Sequence, residues 1–414
     1  MNFIKLATVL CILPIGSSYA VKQKVNTTNC ENNICHFNIA QIPDTQGYFF
    51  IGQQLHCGHS NGSQINDMYQ WFFDKHDSSC PADDGSGKGC YQHIFHVGDI
   101  VDGNGGDGDS LWNPAHDTFS AIVSKNTNKI PLGFATGNHD YTGNGPGQGV
   151  YQPGNYDRAK DFLTSIYQEQ GDYAPKFVPD SQGNPMSPFI TYSSFTVGNQ
   201  SFTALNVPLG MPINDAEFQA TQNFIASHSD SLFIINSHTF DGWPSSPMNG
   251  KLAQLYQNNK NIFMVLWGHE PSGVDKNGGF APTPGEIISR SNNYPKIYKY
   301  RFDYQESGPY NCNGGNMPQH PLVRAYAFTL DQTNKTLTWQ PYDVQAWNVN
   351  NAVYKDPAWK NAQSRINLGD KDIKPLDNSK ISIKISDYST ESNNVPAVIK
   401  PVSKAIKLKT KSKI

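Results

Sequence analysis

The chain has 414 residues, enough for one large body with appendages, and its 37% hydrophobic and 12% aromatic residues can supply a sizeable core. Charged residues make up only 16%, against roughly 25% in ordinary globular chains, which excludes a generally disordered polyelectrolyte. A formal net charge of −3 gives no overall pull toward nucleic acid, and 35 Gly with 27 Pro imply many loops.

Residues 1–20 carry Lys5, an apolar run from Leu6 to Ile15, and small residues at Ser18 and Ala20, the layout of a secretory signal with its cleavage site. The run is shorter than the roughly 20 residues that span a bilayer, and no later run is longer. The expectation is therefore no transmembrane segment, with export to a secreted or periplasmic destination. Cys11 would leave with the signal. Cys30, Cys35, Cys57, Cys80, Cys90 and Cys312 remain, an even set that predicts disulfides in an oxidising compartment. Short separations favour Cys30 with Cys35 and Cys80 with Cys90, leaving Cys57 to reach Cys312. The rival zinc site lacks paired C-x-x-C clusters.

After an N-terminal segment over 21–36, five short apolar runs read as buried strands: Phe37 to Ile42, Ile94 to Val97, Pro131 to Ala135, Leu232 to Ile235 and Ile262 to Trp267. Amphipathic stretches with helical spacing lie between them, at Gln64 to His76, Asp109 to Val123, Tyr156 to Gln168 and Asn214 to Ser227. The last opens on a capping box of Asn214 and Glu217. Strand and helix in alternation imply an α/β fold. A second texture, in Phe189 to Val197, Ser201 to Val207, Val323 to Leu330 and Thr336 to Pro341, reads as antiparallel strands forming a second sheet packed on the first. Residues 274–320, rich in Gly, Asn and Pro, read as long surface loops. A C-terminal extension over 346–414 ends in Lys400, Lys404, Lys407, Lys409, Lys411 and Lys413 without an acid. That basic tail reads as a solvated segment or as an electrostatic contact to an anionic surface.

Each of the five apolar runs is followed by residues able to bind a metal. The first leads to Asp44-Thr45-Gln46 and the second to Gly98-Asp99 and Asp102. The third leads to Gly137-Asn138-His139-Asp140, the fourth to His238, and the fifth to Gly268-His269-Glu270. In open α/β sheets ligands gather at the carboxyl ends of strands, so five polar tips are expected to converge. Asp, Asn, Gln and His without thiolate form a hard to borderline donor set suited to manganese, iron or zinc, and the Asp count leaves room for two ions. Two such ions are an apparatus for displacement at phosphorus.

The order D-x-[HQ], G-D-x-x-D, G-N-H-[DE], a lone His and then G-H resembles the calcineurin-like metallophosphoesterases over residues 37–345, in the variant that reads Asp-Thr-Gln first. The resemblance implies two mixed β-sheets packed as a sandwich flanked by α-helices, and two divalent or mixed-valence ions of Mn, Fe or Zn. It implies Asp99 as the carboxylate shared by both ions, Asp44 and Gln46 on the first, and Asn138, His238 and His269 on the second. His139 would donate a proton to the leaving oxygen, oriented by Asp140, and Asp102 would stand behind the ligands. The family usually reads Gly-His-x-His at its last motif, whereas this chain reads Gly268-His269-Glu270-Pro271. Three outcomes stay open: Glu270 completes an unusual ligand set, the first metal is held weakly, or the enzyme is degenerate.

The implied activity is hydrolysis of small phosphate monoesters, acid-phosphatase-like, by activated water. A phosphodiesterase or nucleotidase of the same fold, and a degenerate binding protein, are the alternatives. A nucleic-acid substrate is not expected, because no basic groove studded with aromatics is visible. His93 and His96 read as packing within a strand. Trp243, Tyr304 and Tyr310 read as packing or as pocket walls, and Gly103 to Asp109 as a rim loop without full calcium-loop spacing.

Overall fold

All five short apolar runs are strands with both faces buried, because helices cover one face of each sheet and the other sheet covers the opposite face. A computed structural model of the chain describes residues 30–45, 63–101, 108–140, 157–209, 215–239, 251–269, 286–290, 293–302, 322–345, 373–375 and 381–389. In chain order these contain β1 (Cys30–Glu31), β2 (Ile34–Ile42), α1 (Ser63–Lys75), β3 (Tyr91–His96), α2 (Gly108–Lys125), β4 (Leu132–Phe134) and α3 (Asp157–Gln170). There follow β5 (Lys176–Phe177), β6 (Thr191–Val197), β7 (Gln200–Val207), α4 (Asp215–Ser227), β8 (Ser231–Ser237), α5 (Lys251–Asn258) and β9 (Ile262–Trp267). Last come β10 (Glu286–Ile288), β11 (Ile297–Arg301), β12 (Leu322–Asp331), β13 (Thr336–Gln345), β14 (Ile373–Pro375), β15 (Ile381–Lys384) and α6 (Ile385–Tyr388).

The first sheet runs β14-β13-β12-β2-β3-β4, with β1 added to β2 and β15 to β13. Its β2, β3 and β4 are parallel, while β12 lies antiparallel to both β2 and β13. The second sheet runs β10-β11-β9-β8-β7-β6-β5, parallel from β7 through β11 and antiparallel at each edge. Both sheets are thus mixed. The four antiparallel strands do not make a separate second sheet: β6 and β7 complete one sheet, and β12 and β13 the other. Alternation within a strand does not reveal which edge it will join. A further correction concerns residues 274–320, where β10 and β11 are strands and β11 pairs in parallel with β9. The capping residue Asn214 lies outside the described residues, as do Cys57, Cys312 and the basic tail.

Aromatic side chains fill the space between the sheets. The Phe37 ring centroid lies 4.9 Å from Phe202 of the opposite sheet and 4.6 Å from Phe328 of its own. Phe263, Trp339 and Tyr388 continue this layer. On the outer face of the first sheet, α1, α2 and α3 pack through Phe72, Phe119 and Phe162. On the outer face of the second, α4 and α5 pack through Phe224 and Leu252. Each such burial contributes about 1.5–3 kcal/mol, so the strand ends stand on a stiff platform. Disulfides join Cys30 to Cys35 and Cys80 to Cys90, as the spacings favoured. Beyond residue 345, β14 and β15 extend the first sheet, and the Tyr388 hydroxyl of α6 donates to the Lys296 carbonyl at 2.6 Å. Among the described residues no helix is long and apolar enough to cross a membrane.

Candidate metal centre

The parallel strands of both sheets carry their carboxyl ends to one edge, and the turns that leave them pack backbone against backbone. After β3 the chain turns at Gly98, with φ of 109°, a conformation that L side chains rarely adopt. A Cβ there would lie 2.8 Å from His238 Nδ1 and 2.9 Å from the Gly137 nitrogen. Gly137, after β4, is needed for close approach: its Cβ would collide with the Asp99 carboxylate and backbone. Asp99 (φ 45°) and His269 (φ 66°) are non-glycine residues held in the left-handed region. Such strain persists where the surroundings over-determine it, commonly at functional sites.

Four predicted residues meet here. His238 Nε2 lies 3.1 Å from Asp99 Oδ2, 3.1 Å from Asn138 Oδ1 and 3.0 Å from His269 Nδ1. The other ring nitrogen of His238, Nδ1, lies 3.0 Å from the Val97 carbonyl oxygen. A carbonyl only accepts, so Nδ1 carries the proton, and a neutral His238 turns the lone pair of Nε2 toward the cluster. A carboxylate oxygen, an amide carbonyl oxygen and a second imidazole nitrogen converge on that lone pair. One proton at Nε2 cannot serve them all; one cation can. The donor atoms of Asp99, His238 and His269 lie within 4.8 Å of one another, a spacing suited to ligands around one ion at bond lengths of roughly 2.0–2.3 Å. The residues present therefore fit a metal ion.

Electrostatics follow the same geometry. Burial pushes the His269 imidazole down, and His238 adds to this, to a pKa of about 3, so His269 stays neutral at working pH. Burial also opposes charge on His238, but Asp99 beside it, together with the Val97 carbonyl and Asp140, outweighs that and raises its pKa above the ordinary value. Asp99 itself is driven up by burial and pulled below the usual carboxylate range by His238 and His139. The Asp99 carboxylate is further anchored by the His139 backbone N–H, which donates to Oδ1 at 2.8 Å.

Asp44 is buried just after β2, and the next residue donates its N–H from Thr45 to the Asp99 carbonyl at 3.1 Å, so this tip lies against the cluster. Gln46, Asp102 and Glu270 lie outside the described residues, as do Trp243, Tyr304 and Tyr310. His139 is half-buried beside Asn138. The Asp140 carboxylate, read from the sequence as the orienter of His139, is held by backbone. Its Oδ1 accepts from the N–H groups of Ile100 at 2.7 Å and Val101 at 3.1 Å, and its Oδ2 from Gly137 at 2.8 Å. It clamps the β3 and β4 turns together, and burial followed by the nearby Asp99 pushes its pKa up to about 7. His93 and His96 are buried, as read. His96 Nε2 lies 2.9 Å from Thr45 Oγ1, and that hydroxyl donates to the Ile100 carbonyl at 3.1 Å. Sequence reading passed over Thr45, Gln41 and Asn236. The available signal was a polar residue inside or beside an otherwise apolar run.

Residues 37–273 match the family described as calcineurin-like phosphoesterase. No curated protein matches the chain by sequence. Among solved structures, the chain is similar to an NAD nucleotidase of Haemophilus influenzae, with 11% identity and a TM-score of 0.39 over 72% of this chain and 48% of that one. It is also similar to a 5'-nucleotidase from Candida albicans, with 12% identity and a TM-score of 0.36 over 81% and 55%. The chain thus spans about half the length of these two proteins.

Proposed function

The chain belongs to the calcineurin-like phosphoesterase family, metal-dependent hydrolases of phosphoesters, and from that premise we propose an exported phosphatase acting on small phosphate monoesters. One observation carries the site assignment: the side-chain tips of Asp99, Asn138 and His269 gather round one ring nitrogen of His238 from the ends of two sheets. In this reading Asn138, His238, His269 and Asp99 hold one ion, and Asp44, Gln46, Glu270 and the shared Asp99 hold the other, drawn from manganese, iron or zinc. Divalent ions, when bound, supply Lewis acidity toward water and toward phosphoryl oxygens.

The protein's own groups do the rest. The Val97 carbonyl fixes the tautomer of His238, so that Nε2 faces the centre. The His139 N–H on Asp99 keeps that carboxylate in one orientation and fixes the His139 backbone beside the centre. His139 supplies a proton to the leaving alkoxide, a role worth about 10²–10⁴-fold in rate. Asp140 acts at one remove, by fastening the two turns that present Asp99 and Asn138. Disulfides at Cys30–Cys35 and Cys80–Cys90 support an oxidising destination, and the Lys-rich tail is read as a contact to an anionic surface.

The test is turnover of chromogenic mono- and diesters and of nucleotides by purified protein loaded in turn with Mn²⁺, Zn²⁺ or Fe²⁺. Monoester cleavage that vanishes in Asp99→Ala and drops by the proton-donor factor in His139→Ala is the expected outcome. Wild-type turnover by both variants would remove the assignment. A preference for diesters or nucleotides would keep the chemistry and change the substrate class.

A further inference from the structure

We infer that Gln41 and Asn236 are positioning residues that set the alignment of the two halves of the metal centre, an inference that rests on the metal-binding reading above. Asp44, Asp99 and Asn138 follow strands of the first sheet, while His238 and His269 follow strands of the second. The ligand set is therefore split across the space between the sheets. Apolar side chains fill most of that space. Their attraction is non-directional, so it resists separation of the sheets more than it fixes their relative slide.

Two buried amides supply direction. Asn236 on β8 donates from Nδ2 to the carbonyl of His96, 2.8 Å away at the end of β3 and three residues before Asp99. Gln41 on β2 donates from Nε2 to the carbonyl of Trp267, 3.3 Å away at the end of β9 and two residues before His269. The two bonds run in opposite senses, one from each sheet to the other, and each grips the last residue of a strand that carries a ligand. Both amides are themselves oriented. Asn206 Oδ1 accepts from Asn236 Nδ2 at 2.9 Å, and Asn206 Nδ2 donates to Thr191 Oγ1 at 3.1 Å. The Tyr326 hydroxyl donates to Gln41 Oε1 at 2.5 Å. Gln41, Asn206, Asn236 and Tyr326 are all fully buried. A hydrogen-bonded buried amide adds little net stability over an apolar side chain of the same shape. What it adds is alignment, and a metal site needs its ligands held to within about 0.5 Å.

A cross-sheet amide of a half-buried residue lies at the opposite end of β2 and serves as the control. Gln332, in the turn after β12, accepts from the Asn199 N–H at 2.9 Å in the turn between β6 and β7. The experiment measures Mn²⁺ affinity by calorimetry on chelator-stripped protein, together with the thermal midpoint of the stripped protein, for Asn236→Leu, Gln41→Met and Gln332→Met. Asn236→Leu and Gln41→Met are expected to weaken Mn²⁺ binding about tenfold or more, the range for groups that orient ligands. Gln332→Met is expected to bind Mn²⁺ as the parent does. Parental affinity in both site-end variants overturns the inference, as does an equal loss in Gln332→Met. If Asn236→Leu does not fold, Gln41→Met and Asn206→Leu decide, the latter loosening Asn236 without touching either strand-end carbonyl. Parental Mn²⁺ binding by both Asp99→Ala and His238→Ala would instead remove the metal centre, and the inference with it.

Discussion

Replacing Gly98 by Ala tests the packing of the strand tips with one methyl group. The backbone at Gly98 has φ of 109°, where a side chain is strained whatever space it has. That alone costs about 1–3 kcal/mol. The methyl would also stand 2.8 Å from His238 Nδ1, 2.9 Å from the Gly137 nitrogen and 3.1 Å from His238 Cβ. Two of these three atoms are backbone or Cβ and cannot rotate away, so the strain of overpacking, about 1–3 kcal/mol, adds to the first cost. The third atom is the one that bonds the Val97 carbonyl, so relief by moving the imidazole breaks that bond and turns Nε2 away from Asp99. Gly98→Ala should therefore lower unfolding stability by about 2–6 kcal/mol in urea titration and weaken metal binding in the same preparation. A variant with the parental urea midpoint and parental metal affinity would refute the tip geometry from which the site is built.

The pH dependence of metal binding has a definite sign. Asp99 raises the pKa of His238, so in ion-free protein that proton adds stability below about 6.5, lost as pH rises through the raised value. The ion displaces it, so affinity should climb with pH over that interval with proton release, read by calorimetry in buffers of different ionisation heat; a pH-independent affinity without proton release would contradict the upward shift that Asp99 gives His238. Asp140→Ala strips partners from three buried N–H groups and should cost about 3 kcal/mol or more in thermal or urea unfolding, an effect that Asp140→Glu should not rescue fully. Reducing Cys30–Cys35 and Cys80–Cys90, which close loops of separation 5 and 10, should cost about 2–3 kcal/mol each, measured as the fall in unfolding midpoint with reductant. Gly133→Ala would drive a Cβ into Asn206 Nδ2 and His93 Nε2 and should disturb Asn236 at second hand, seen as weaker Mn²⁺ binding.

Much of the architecture was written locally. Runs such as Ile262 to Trp267 are too apolar to face water and too rich in branched and aromatic residues to favour a helix, so their strand state needs no knowledge of their neighbours. The same holds for the polar residue after each run, because a chain leaving a buried strand must turn, and Gly98 and Gly137 mark where it does. The two short-range disulfides followed from spacing alone. Pairing across long separations was another matter. Tyr326 meets Gln41 across 285 positions, and β12 completes the sheet begun by β2 rather than forming one of its own with β6 and β7. The sequence by itself determined which segments are strands and which residues stand at their tips, since hydrophobic periodicity and turn chemistry are properties of a few adjacent residues. Only the tertiary structure decided that Asp140 grips backbone, that Gln41 and Asn236 tie one sheet to the other, and that His238 stands at the middle of the cluster with Asp99, Asn138 and His269 around one of its nitrogens. Those outcomes depend on which strand edges satisfy each other's hydrogen bonds, and no short window of sequence contains that information.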